Sequence, residues 1–326
     1  RSRKNLHIIT HAHTDKIEFD GKRATAVMAR VRGKSQRIKV GREIILSAGS
    51  IGSPQILMLS GIGDQNDLGK HGIEPTHHLP GVGRNLQDHL QARPVFKCNA
   101  STINTETKNP LQLASIALEY AFKRSGPMTM AASLGTAFLK THDALETPDI
   151  QFHLQPFSAD SVAEGSHKFS AFTASVLQLR PESAGHLELV SANADDYPAI
   201  HPNYLATKTD CDTIVAGIKI ARAVCQTEPV KSLITEEYAP GAAVADDDDA
   251  ILDWVRNTAT TIYHPTGTCK MGQDKMAVVD EKLRVYGVQN LRVADASIMP
   301  VITSGNTNAP TIMIGEKLSD LILEAV

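Results

Sequence analysis

Several groups of side chains in this sequence have types and spacings that could do chemistry. The first is the run Gly49-Ser50-Ile51-Gly52-Ser53-Pro54-Gln55-Ile56-Leu57-Met58-Leu59-Ser60-Gly61-Ile62-Gly63. It reads as a strand end without bulky side chains, then a helix, then a glycine-rich turn. Such a run lets backbone N–H groups and a positive helix end come close to an anionic or flat ligand. Ser50 approaches a nucleophile elbow, but Ala48 stands where that elbow needs its first glycine. The second group is His264, in Tyr263-His264-Pro265-Thr266-Gly267-Thr268-Cys269-Lys270-Met271-Gly272. Its imidazole is suited to moving a proton near neutral pH, although a lone histidine is more often an ordinary loop residue. Cys269 is a conceivable thiol nucleophile. His11 and His13 could share one strand face and His77-His78 are adjacent, but neither pair reads as a metal-ligand set. Asn306, beside Gly305, is by itself an ordinary turn residue.

The elements that must position these residues fall into two kinds. Ala24 to Val31 and Arg42 to Gly49 look like strands, and Leu6 to Thr10 is β-rich. Pro54 to Ser60 suggests a short helix with Ser53 as N-cap and Pro54 at the first helical position. In the middle, Arg93–Lys97, Asp149–Leu154, Ala171–Leu177 and His186–Val190 resemble sheet strands. Leu111–Lys123 and Asp210–Cys225 show helical periodicity. The run Asp246–Asp249 places negative charge before a helix, and Ala309 to Ala325 closes the chain as a helix. The expected class is α/β: residues 1–93 and 258–326 form one part, and 94–257 an α+β part with an antiparallel sheet.

Bulk properties set limits. The chain has 326 residues, 42% hydrophobic and 21% charged, enough for about two globular domains. Lys and Arg total 33 against 36 Asp and Glu, for a net charge of −3. This balance argues against nucleic acid as a partner, which calls for clustered positive charge. Cys98, Cys211, Cys225 and Cys269 are scattered without paired spacing and read as reduced thiols in a cytoplasm-like compartment. No run approaches the roughly 18 apolar residues of a spanning helix. The expected localisation is cytoplasmic, with peripheral association with the inner membrane left open for a longer parent. Because Arg1 is not an initiator Met and the chain starts abruptly, the sequence is expected to be a C-terminal portion of something longer.

Taken together, the motifs resemble the glucose–methanol–choline (GMC) oxidoreductase family. The Gly49–Gly63 string is similar to that family's second signature, and Leu79-Pro80-Gly81-Val82-Gly83-Arg84-Asn85-Leu86-Gln87-Asp88-His89 to the loop after it. Tyr263–Gly272, Leu291–Pro300 and Ser304–Lys317 match its C-terminal strings in order. The resemblance covers Asn5 to Leu323 and is thinnest from Cys98 to Asp149. It implies an FAD-dependent oxidation of a primary alcohol to an aldehyde, with oxygen or a quinone-like carrier as electron acceptor. In the family the histidine matching His264 is the base on the substrate hydroxyl, and His or Asn stands at the position of Asn306. Elementary chemistry supports those roles. Hydride leaves a carbinol carbon as its oxygen gains alkoxide character, and a base with an ordinary pKa of ~6.5 is matched to that proton. An amide donates to the same oxygen without titrating.

The resemblance also implies cofactor contacts at Thr14, Asp295, Ala296, Thr307 and Asn308, and a substrate contact at Tyr263. It implies a partial FAD-binding domain joined to a substrate domain of GMC type. The strand–GxGxxG–helix unit that holds the FAD pyrophosphate has no match: Gly61-Ile62-Gly63 and Gly81-Val82-Gly83 both lack the third glycine. The expectation is therefore that these residues alone bind FAD weakly or not at all and are inactive. The rival reading is a cofactor-free folded binding or structural module. Within the family the wording is most similar to choline dehydrogenases and related primary-alcohol dehydrogenases. A trimethylammonium group favours an aromatic cage, and with Trp254 the only tryptophan and 5% aromatics, an aliphatic or aryl alcohol is at least as well supported.

Overall fold

The computed structural model describes residues 3–131, 133–160, 165–244 and 246–324. They form a mixed α/β fold with largely antiparallel sheets, divided into two compact units. One takes residues 1–88, 183–204 and 263–326, and the other 89–182 and 205–262.

In the first unit, the strands Ala12–Asp20, Arg23–Val31 and Lys34–Lys39 make an antiparallel sheet. Leu6 to Thr10, expected to be a strand, is not one: pairing begins at Ala12. Ile44–Leu46 pairs in parallel with Leu291–Val293, which brings the start of the Gly49 string beside the C-terminal strings. The middle of the chain contributes the strands Gly185–Glu188 and Ala199–His201, the first lying between the second and Arg84–Leu86 and pairing with both. This unit therefore takes three chain segments. Its core joins Leu46, Leu57, Ile62, Val279, Leu291, Val293, Ile314 and Leu318.

The helix after Ile44–Leu46 differs from the expectation in an instructive way. It runs Gly49–Leu59, starting at Gly49 with Ala48 as N-cap, so Pro54 lies inside it and Ser53 does not cap it. Gly49 takes φ +77°, which lets the chain turn straight from the strand into the helix. Pro54 lacks an N–H, so it cannot close the usual helical bond to the carbonyl of Ser50. That carbonyl instead accepts the Thr268 hydroxyl at 2.7 Å.

In the second unit, seven strands form one antiparallel sheet. Ile150–Gln155 and Ala171–Gln178 are at its centre, and the helix Lys208–Cys225 lies against it through Ile214, Ile218 and Ala221, which are spaced for one helical face. Gly217 faces Val176, whose Cγ2 would stand 2.7 Å from any added Cβ. The helix Asp248–Thr258 is capped by Asp247, which accepts the Ala250 N–H at 2.9 Å, so the acidic run does the work expected of charge at a helix start. The closing helix is Asn308–Leu323; Ala325 lies outside the described residues. Among the described residues no helix is long and apolar enough to cross a membrane.

Candidate active site

The Tyr263–Gly272 string is held from two sides within the first unit. Its backbone exchanges two hydrogen bonds with Gln87: Thr266 N–H donates to Gln87 O at 2.8 Å, and Gln87 N–H donates to Thr266 O at 3.1 Å. The Ser50 hydroxyl donates to Pro265 O at 2.6 Å, and Thr268 returns a bond to Ser50 O. Gly267 takes φ +88°, and a Cβ there would meet Asn85 O at 2.4 Å, so only glycine fits. His264, only 9% exposed, donates its backbone N–H to Asp88 Oδ1 at 3.0 Å. The other Asp88 oxygen accepts the Tyr204 hydroxyl. A carboxylate with two donors on it is a stiff anchor for the backbone that aims the imidazole.

The loop carrying Asn306 is fixed by the same short segment. Gln87 Oε1 accepts the buried Ile302 N–H at 3.2 Å, and its Nε2 donates to Pro300 O at 3.2 Å and Asn85 Oδ1 at 3.1 Å. Asn85 Nδ2 donates to Gly267 O and Pro300 O. One loop thus ties together two strings that are far apart in sequence. The consequence is that Asn306 Nδ2 lies 3.3 Å from His264 Nε2. An amide N–H can only donate, so a hydrogen bond across this gap forms in the neutral tautomer whose Nε2 carries its lone pair. A hydroxyl placed between them could give its proton to Nε2 and take a hydrogen bond from Nδ2.

The other expected residues are placed unevenly. Tyr263 precedes His264 with φ +64° and a 76% exposed side chain. Thr307 is buried and caps the helix that Asn308 begins, without a side-chain bond to it. Asp295 is buried, and its oxygens accept Gly49 N–H at 3.0 Å, the Ser53 hydroxyl at 2.6 Å and Ser297 N–H at 2.8 Å. It fastens the start of the Gly49 helix to the short 3-10 turn beginning at Ala296. Ala296 O accepts Gly267 N–H. Thr14 stands in the strand Ala12–Asp20 opposite Ala29, on a different element from the His264–Asn306 pair.

The rival chemistries find no support. The Ser50 hydroxyl is bonded to a carbonyl and not to an imidazole. Cys269 is fully buried, and burial, reinforced by the charge of Asp295, pushes its thiol far above the ordinary range. His13 bonds Ala194 O, and His78 Nδ1 accepts Gln65 N–H. Asn85, Gln87, Asp88 and Tyr204 were not singled out in the sequence. The usable signal was a polar run inside a glycine-rich loop: Gln87 and Asp88 are buried, and buried polar groups must find hydrogen-bond partners.

Comparison with known proteins identifies the family of the chain. The N-terminal and C-terminal models of the GMC oxidoreductase family match residues 1–91 and 181–315. Both family models are therefore matched, and the expectation of a C-terminal portion alone is not supported. The chain is 40% identical to an alcohol dehydrogenase [acceptor] of Pseudomonas putida over 99% of its own length and 59% of that protein's. It is 42% identical to a mitochondrial choline dehydrogenase of Homo sapiens over 98% and 54%. A formate oxidase of Aspergillus oryzae RIB40, solved to study its FAD modification, superposes with a TM-score of 0.87 at 26% identity, over 95% of this chain and 59% of that one. The chain thus spans a little over half the length of the relatives it matches.

Proposed function

The chain belongs to the GMC oxidoreductase family, and from that premise we propose that it supplies the proton-handling half of an FAD-dependent oxidation of a primary alcohol to an aldehyde. The observation that carries this reading is the 3.3 Å approach of Asn306 Nδ2 to His264 Nε2. His264 takes the hydroxyl proton. Asn306 donates to the same oxygen as it gains negative charge. Asp88, Tyr204 and Gln87 keep both groups in place, and Tyr263, exposed beside His264, contacts the substrate.

The residues fit the redox end of a flavin. The helix Asn308–Leu323 begins beside Asn306 without a side-chain cap, so its N–H groups and positive end are available to an electron-rich ring. The nearby Thr303 hydroxyl is buried without a protein partner. Thr307 and Asn308 would hold the ring, while Asp295 acts through the Gly49 helix. Bound FAD supplies the hydride acceptor that no side chain can provide. With no GxGxxG string in the sequence, these 326 residues alone retain FAD weakly.

The test is anaerobic mixing of the FAD-loaded protein with a panel of aliphatic, aryl and choline-type alcohols, followed by the flavin absorbance, then repeated with oxygen and a quinone. A primary alcohol should bleach the flavin. His264→Ala should slow bleaching by about 10²–10⁴-fold and Asn306→Ala by about 10²–10³-fold. Undiminished bleaching in His264→Ala removes the base assignment. With FAD in excess, a protein that reacts with no alcohol would favour a cofactor-free module.

A further inference from the structure

Away from the candidate active site, we propose that His186, Glu188 and His201 form a binding site for a divalent transition ion such as Zn²⁺, Co²⁺ or Ni²⁺. Strand register builds the cluster. His186 and Glu188 stand two apart on the strand Gly185–Glu188, so their side chains leave the same face. His201 is the antiparallel partner of His186, which puts its ring beside the other two across the ladder. The two strands approach closely here: a Cβ on Gly185 would fall 1.8 Å from His201 O, so glycine is what lets them close.

The distances suit a small cation. One ligand atom from each of the three residues lies within 4.8 Å of the others, and His186 Nε2 is 3.2 Å from a Glu188 oxygen. A tetrahedral ion with bonds of about 2.0–2.2 Å holds its ligand atoms about 3.3 Å apart. His186 and Glu188 already stand at that spacing. The exposed His201 ring, its centroid 4.7 Å from that of His186, closes the remainder, at most about 1.5 Å, by turning its own side chain. The nearby cations are otherwise occupied: Lys70 and Arg84 both bond Asp67, at 2.7 and 2.6 Å. The charge of Glu188 also acts on Lys70, but its oxygen faces His186 at 3.2 Å and brings the negative charge that two imidazole ligands lack. Two imidazoles and one carboxylate favour a borderline transition ion over Mg²⁺ or Ca²⁺, which prefer all-oxygen shells. Three protein ligands leave a coordination position for water.

The test is titration of EDTA-stripped protein with Co²⁺, read by visible absorption and by calorimetry. One ion per chain should bind saturably. His186→Ala and His201→Ala should each weaken it at least tenfold, while a His77→Ala/His78→Ala variant should bind as the parent does. If His186→Ala fails to fold, His201→Gln, at an exposed position, gives the same readout. Binding that survives intact in His186→Ala/His201→Ala, or no saturable binding at millimolar Co²⁺, overturns the proposal.

Discussion

The bond from Thr268 to the Ser50 carbonyl makes a sharp prediction. Pro54 cannot supply the N–H that would ordinarily serve this carbonyl, and the Thr268 hydroxyl, on a fully buried side chain, reaches it at 2.7 Å. Thr268→Val keeps the shape and removes the hydroxyl. Leaving a buried carbonyl without that donor costs about 1–3 kcal/mol. In a Pro54→Ala background the new N–H of residue 54 can close the helical bond to Ser50, so the penalty for losing the hydroxyl shrinks. The double-mutant cycle should therefore show a coupling of about 1–2 kcal/mol. The assay is denaturant-dependent hydrogen exchange at the core amides Val293 and Ala294, which bond Leu283 O and Leu46 O within the same unit. If Thr268→Val costs the same in both backgrounds, the proline is not what makes the hydroxyl necessary, and the reasoning fails.

Two further predictions follow from the same geometry. Gln87→Met removes the acceptor of the buried Ile302 N–H and the donor to Pro300 O; it should cost about 2–4 kcal/mol and speed exchange of the Ile302 amide, and unchanged protection there would count against the clamp. Cys269 should resist a thiol reagent from pH 7 to 9 in the folded protein, because burial holds its proton on well above that range, and rapid labelling of Cys269, located by peptide mapping, would contradict its placement.

Much of this protein was legible in the sequence. Leu111–Lys123 and Asp210–Cys225 have the periodicity of helices, and helices form over Pro110–Lys123 and Lys208–Cys225. The strands of 149–154 and 171–177 follow from their β-branched and aromatic content. The ordered motif strings pointed to the family that the comparisons identify. Local signals misled where a tertiary partner took over. Ser53 looked like an N-cap, but its hydroxyl is drawn to Asp295, far along the chain, and Pro54 looked like a helix start because nothing nearby in sequence showed that Thr268 would serve the carbonyl it leaves free. The site itself belongs to the fold. His264 and Asn306 meet only because Gln87 bonds the backbone of one string and the loop of the other. Likewise, His186 and His201 face each other only through strand register. Periodicity and capping act over a few residues and can be read from a sequence; a hydrogen bond between segments hundreds of residues apart depends on where the whole chain runs, and that is settled by the packing of the core.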